Sequence, residues 1–283
     1  MPDKLIEIHS SLRPLFSAMP KLGQKLARKV YRNLLKSKYG RVGVAEAWQN
    51  GRLWKLYPEV ALRGEYQEFA TIEWLRKVVH SGMDVLDIGA NVGQMTLEMA
   101  YLVGSEGRVV AVEPGPGNIK LLRGHIQANG FSERVTIVEA ACASKADLVL
   151  DFKIIGNSTD AVGSGFSIAS SVSDCLNQST NEFYISVPSV TIDSVCSELQ
   201  LEPSVIKIDV EGAELLVLKG AVETLHSSKP IVCFGFHPFA FPDPIQAECE
   251  IRSIFSTYEY QIYTIDGELA EQPFDLNEYL AYP

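Results

Sequence analysis

Four short stretches of this 283-residue chain hold residues whose types and spacing could do chemistry. The first is Val85-Leu86-Asp87-Ile88-Gly89-Ala90-Asn91-Val92-Gly93: an apolar run, an acid, then two glycines around Asn91. Helical spacing of Met95, Leu97, Met99 and Ala100 follows. A buried strand, glycine turn and helix start of this kind brings backbone close to a nucleotide-like ligand. The second stretch is Val109-Val110-Ala111-Val112-Glu113-Pro114. An acid that closes the next strand, as Glu113 does, can accept hydrogen bonds from both hydroxyls of a ribose. The third is Lys207-Ile208-Asp209-Val210-Glu211. If the chain stays extended through Glu211, strand alternation puts its three ionisable groups on one side, which is costly unless they pair or meet a ligand. The fourth is Phe234-Gly235-Phe236-His237-Pro238, where a histidine leaving a strand at the cleft edge is a natural base for a hydroxyl.

The first two stretches alone do not choose between cofactors, because nicotinamide enzymes also place a carboxylate after the second strand. The turn Gly89–Gly93 lacks the GxGxxG spacing that suits a pyrophosphate. A carboxylate at Asp87 would repel a diphosphate and attract the ammonium of a methionine moiety. That balance favours S-adenosylmethionine over NAD.

Elements must position these residues, and their pattern alternates. Strands are expected at Val85–Ile88, Arg108–Val112, Val135–Glu139, Val205–Ile208 and Ile231–Phe236, with Tyr260–Ile265 and Tyr279–Ala281 closing a seven-stranded sheet. Helices are expected over Glu68–His80, Asn118–Asn129, Ala213–Leu225 and Gln246–Thr257. Such alternation implies an α/β architecture, a mostly parallel sheet with helices on both faces. Residues 147–191 interrupt it: two β-rich pieces, Leu148–Ile154 and Phe183–Val190, flank a polar segment over 156–181, read as a mobile substrate-side loop. Residues 1–63 are read as an N-terminal appendage to a domain over 64–283. Its first 40 residues are expected to be helical, with breaks near Pro14 and Pro20, and residues 41–64 to be irregular, with Trp48 and Trp54 covering apolar surface.

The formal charge is −10, which argues against nucleic acid as the main partner. Residues 1–41 hold ten Lys or Arg against Asp3 and Glu7, so the basic segment precedes a strongly acidic remainder. Packing on the core is the plain reading of that segment; docking on an acidic partner or an anionic membrane surface is the sharper one. Cys142, Cys175, Cys196, Cys233 and Cys249 are odd in number and widely spaced, which fits a reducing compartment and neither a disulfide frame nor a thiolate zinc site. No apolar run reaches the roughly 20 residues of a membrane span, and no apolar leader with a small-residue cleavage site is seen. A soluble, cytoplasmic protein is expected, of undetermined oligomeric state.

Taken together, these motifs resemble the FkbM-type methyltransferases, a branch of the Rossmann-like (class I) S-adenosylmethionine-dependent enzymes. The resemblance rests on Asp87–Gly93, Glu113-Pro114, the helix with Leu121, Leu122 and Asn129, Val190-Thr191-Ile192-Asp193, Lys207–Glu214 and Leu218-Lys219-Gly220-Ala221, and covers roughly residues 64–283. It implies methyl transfer to a hydroxyl of a sugar, glycolipid or polyketide- or peptide-type natural product, free or carrier-bound. It also implies a cofactor site made of Glu68, Asp87, Gly89, Asn91, Gly93, Glu113, Ala140 and Asp209. In that site Asp87 and the turn hold the methionine part, Glu113 the ribose, and the chain around Ala140 flanks the adenine. Catalysis is expected from His237 as base, oriented by Asp209 or Glu211, with no metal assigned. The family often has Glu-x-His after the fifth strand; here Gly235 stands where the acid would be. Alternatives are a Mg²⁺ enzyme using Asp209, Glu211 and His237, a nicotinamide oxidoreductase, and a non-catalytic cofactor-binding or carrier-docking module.

Overall fold

The fold is seen in a computed structural model that describes residues 44–61, 69–155, 182–271, 273–274 and 278–283, with isolated positions between 4 and 38. Most of the basic segment, the 156–181 segment and Glu68 therefore lie outside the described residues.

The continuously described residues open with a hairpin, β1 (Ala45–Gln49) and β2 (Arg52–Leu56), paired antiparallel with Gln49 opposite Arg52. This differs from the irregular chain expected there. The Asn50-Gly51 pair, both at positive φ, is the two-residue turn whose twist matches a hairpin. Trp54 is buried, whereas Trp48 points out and is 57% exposed, so only one of the two covers apolar surface. A single-turn helix, α1 (Pro58–Ala61), and α2 (Phe69–Val78) lead into the main sheet.

That sheet is built from β3 (Asp84–Ile88), β4 (Arg108–Val112), β5 (Val135–Val138), β9 (Val205–Ile208), β10 (Ile231–Gly235), β11 (Gln261–Thr264) and β12 (Glu278–Tyr282). Its order is β11-β12-β10-β9-β3-β4-β5. Neighbours from β10 through β5 pair parallel, while β12 runs antiparallel to both β10 and β11. The order reverses beside β3, so the carboxyl ends of β3 and β9 open a crevice at the switch point, where α/β sheets bind ligands.

Burial on both faces explains the near-continuous apolar strands. Val85, Val109, Ala111, Val205 and Cys233 turn toward one layer with α2, α3 (Gln94–Leu102) and α4 (Pro116–Ala128). Leu86, Ile88, Val110, Ile206 and Phe234 turn toward the other, with α5 (Ile192–Leu199), α6 (Glu214–Lys219), α7 (Val222–Ser227) and α8 (Pro244–Thr257). The single helix expected over Ala213–Leu225 is two short ones, broken at Gly220, where a Cβ would meet the Ala143 carbonyl oxygen at 2.3 Å. Between β5 and α5 lie β6 (Ala141–Cys142), β7 (Val149–Ile155) and β8 (Glu182–Val190), a separate three-stranded sheet. Its β7–β8 pairing matches the two β-rich pieces read in the sequence.

Candidate active site

Asp87 and Lys207 are register partners on the parallel strands β3 and β9 and project toward the same layer. Asp87 is fully buried; its Oδ2 accepts from the Thr96 hydroxyl at 2.5 Å, and its Oδ1 has no hydrogen-bond partner among the described residues. Burial pushes its carboxyl above the usual range, against the pull of Lys207 and of the Thr96 bond. A buried, half-satisfied acid at a strand end is stabilised by a cationic group arriving from outside.

The turn after Asp87 is tied down on two sides. Gly89 and Ala90 donate backbone N–H bonds to Val112 O at 2.9 and 3.1 Å, and Asp209 N donates to Ile88 O at 2.9 Å. Gly89 sits at φ +83, and a Cβ there would fall 1.9 Å from the Asp209 carbonyl oxygen, so no other residue fits. Gly93 also lies at positive φ, as does Asn91, whose buried Oδ1 is a second acceptor with no partner among the described residues. The Asn91 N–H donates to Glu113 Oε2 at 2.8 Å, while Glu113 Oε1 accepts from Gly115 N and Asn118 Nδ2 at 2.8 and 3.1 Å. Burial raises the Glu113 pKa despite these bonds. Oε2 keeps acceptor capacity for a further donor. Ala140 is buried just beyond β5, completing a row at the carboxyl ends of β3, β4 and β5.

The second half of the site starts at β9. Lys207 Nζ lies 3.2 Å from Asp209 Oδ2, so the alternation holds for these two, and the Lys207 charge keeps the Asp209 carboxyl below its usual range. It does not extend to Glu211, because β9 ends at Ile208 and Glu211 takes φ 49. Glu211 acts on His237 through its charge. The carboxylate that touches His237 is Glu214, which is not among the expected site residues: Oε1 accepts from His237 Nδ1–H at 2.8 Å. His237 Nε2 stands 3.9 Å from Asp209 Oδ1. Burial alone would lower the His237 pKa, but the Glu214 bond and charge, with Asp209 and Glu211, raise it.

Atoms of Asp209, Glu214 and His237 lie within 4.8 Å of one another, a possible cation cluster with Glu214 in place of the expected Glu211. Glu214 already accepts from the Gly212 N–H and His237 Nδ1–H, and Asp209 Oδ2 from Lys207 Nζ, so a cation there would compete with bonds already made. Besides Glu214, sequence reasoning missed Thr96, Asn118 and His125. None of the three carries a signal in the sequence alone, and His125, within α4, is fully buried.

The family model described as "Methyltransferase FkbM domain" matches residues 87–262. No curated protein matches the chain. Among solved structures, a methyltransferase FkbM from Methylobacillus flagellatus KT is 17% identical, with 76% of this chain and 53% of that chain covered and a TM-score of 0.44. The chain thus spans about half the length of that protein. A putative rRNA methylase from Clostridium thermocellum is 11% identical, covering 75% and 90%, with a TM-score of 0.44. An O-methyltransferase from Bacillus cereus in complex with SAH is 13% identical, covering 75% and 79%, with a TM-score of 0.43.

Proposed function

Because the chain belongs to the FkbM methyltransferase family, whose methyl donor is S-adenosylmethionine, we propose that it is an O-methyltransferase acting on a hydroxyl of a small or carrier-bound molecule. The acceptor classes are those the sequence resemblance implies: a sugar, a glycolipid or a polyketide- or peptide-type natural product. The observation that carries the reading is the position of Asp209. Its backbone bonds to Ile88 and abuts Gly89 in the first turn, while its side chain reaches to 3.9 Å from His237 Nε2. One residue thereby joins the proposed cofactor turn to the proposed base.

When bound, the cofactor supplies an electrophilic methyl group on a sulfonium. The unpartnered Oδ1 of Asp87 fits the ammonium of its methionine part, and Glu113 Oε2 its ribose. The buried chain at Ala140 would flank the adenine, and Glu68 is retained from the resemblance as a further contact. His237, 18% exposed in its side chain, takes the proton of the acceptor hydroxyl at Nε2 as that oxygen is methylated. Base assistance of this kind contributes about 10²–10⁴-fold, and holding the hydroxyl in line contributes the rest.

The reading includes a reducing, cytoplasmic setting, in keeping with the described cysteines Cys142, Cys196, Cys233 and Cys249 forming no disulfide. No helix among the described residues is long and apolar enough to cross a membrane. Whether the basic segment docks an acidic partner or a membrane surface stays part of the proposal.

Calorimetry with S-adenosylmethionine and NAD, followed by mass-spectrometric detection of methyl gain across a panel of hydroxyl acceptors, tests it. Binding of the first cofactor, methyl gain on oxygen and insensitivity to a strong chelator are expected. NAD binding alone would return the oxidoreductase alternative, and chelator-abolished turnover the Mg²⁺ one. His237→Ala should lose about 10²-fold or more in turnover with cofactor affinity unchanged.

A further inference from the structure

We propose that Glu214 is the positioning residue of the site: it holds His237 in the tautomer that carries hydrogen on Nδ1 and presents the Nε2 lone pair to the acceptor. This rests on the reading of His237 as the base. A carboxylate accepts and does not donate, so the 2.8 Å contact between Glu214 Oε1 and His237 Nδ1 places the hydrogen on the imidazole. A neutral imidazole has one N–H, which leaves Nε2 bare.

The carboxylate is itself fixed. The Glu214 side chain is fully buried, and both of its oxygens lie 3.0 Å from the Gly212 N–H, inside the bend that opens α6. Among the described residues no comparable bond competes at the other ring nitrogen: Asp209 Oδ1 stands 3.9 Å from Nε2, beyond hydrogen-bonding distance, while Asp209 Oδ2 is held by Lys207. The groups that set the charge around the ring are thus Glu214 from α6, Asp209 at the end of β9, Glu211 in the following loop, and Lys207 through Asp209.

Gly235 belongs to the same device. A Cβ at this position would sit 2.9 Å from His237 Cε1, 3.4 Å from Nδ1 and 3.5 Å from Asp209 Oδ1. The ring occupies the space that a side chain on the last residue of β10 would take, and Phe239 closes it edge-to-face at 5.7 Å. The missing acid at 235 is therefore no gap in the machinery: its absence lets the imidazole lie back onto Glu214.

Replacing Glu214 by Gln keeps the shape and removes the charge. An amide cannot offer oxygen to both Gly212 N–H and His237 Nδ1–H as the carboxylate does without its own N–H₂ facing a donor. Nitrogen–proton correlation NMR of the histidine side chains in the ligand-free protein reads the outcome directly. Wild-type His237, above its titration midpoint, should show the Nδ1–H tautomer. Glu214→Gln should admit the Nε2–H tautomer and move the midpoint to lower pH. Gly235→Ala, which keeps Glu214 and displaces the ring, should lose the Nδ1–H signature as well, and serves if Glu214→Gln fails to fold. An Nε2–H tautomer in the wild type would overturn the assignment, as would an unchanged tautomer and midpoint in both variants. With an acceptor in hand, Glu214→Gln should lower kcat by about 10²-fold at unchanged cofactor affinity, because a mis-set tautomer disables such bases. The spectra need neither cofactor nor acceptor, so they fail independently of methyl transfer; full turnover by His237→Ala would overturn the base reading and this one together.

Discussion

Two aspartates sense the same Lys207 and respond in opposite directions. Asp87 lies beside it across a strand pair, fully buried, and is raised by desolvation; Asp209 touches its ammonium at 3.2 Å and is lowered. The residue types foretold an acid on each strand but not which would be held ionised, since that depends on distance to one nitrogen. For His237 the consequence is a pH profile. Its pKa lies above the ordinary 6.5, so the imidazole proposed as the base stays protonated until the pH passes that raised value. Turnover should therefore climb along an acid limb centred above the usual histidine range; a limb at or below it would show that the three carboxylates do not act on the ring. Glu113→Gln is a second test at this scale. It sets an amide against the N–H groups of Asn91 and Gly115, at a cost of about 1–3 kcal/mol. Cofactor affinity measured by calorimetry should fall by about tenfold or more. Gly89 was legible from the turn pattern alone, whereas Glu214 was not: its partner His237 is 23 residues away and meets it only through the fold.

At the scale of elements, strands were read more securely than the pieces between them. Short, near-continuous apolar runs of the kind that strands buried on both faces show mark β3, β4, β9 and β10 without reference to neighbours. The β1–β2 hairpin was missed although Asn50-Gly51 is a strong turn signal. Its strands are short, and what holds them is distant in sequence: Arg52 and Arg76 both reach Glu98 Oε1 at 2.8 Å, Arg76 also donates to Asn50 O at 2.6 Å, and Arg52 lies over the Tyr101 ring. Glu98 is buried while both guanidiniums are partly solvated, so the cost of removing it is discounted from that of a fully buried pair. Glu98→Ala should cost about 2 kcal/mol in chemical denaturation and expose the hairpin to limited proteolysis. An unchanged midpoint would mean that apolar packing of Trp54 and Leu56 alone secures it.

For the whole molecule, one histidine ties three distant parts together. His125 on α4 donates from Nδ1 to Val92 O in the Gly89–Gly93 turn at 2.7 Å and accepts at Nε2 from Tyr57 N, beyond the hairpin, at 3.0 Å. The acceptor role at Nε2 requires the neutral ring, and burial lowers its pKa to about 4, against the pull of the Val92 bond. The unfolded chain takes up this proton near 6.5 while the folded one resists until about 4, so stability falls as pH drops through that window, by on the order of 3 kcal/mol. Thermal melts between neutral pH and about 4 should show the loss, and a His125→Gln variant should lack that portion of it. By itself the sequence determined the alternation of strands and helices, the glycine turn with its acid, the acid closing β4, and the methyl-donor class, because each is written in residues close together along the chain. Only the tertiary structure decided which carboxylate holds His237, that Glu211 leaves the strand before it can line up with Asp209, and that Gly235 makes room for the ring. Those outcomes depend on where β9, α6 and β10 end relative to one another, and that geometry is set by packing across the sheet rather than by any local pattern.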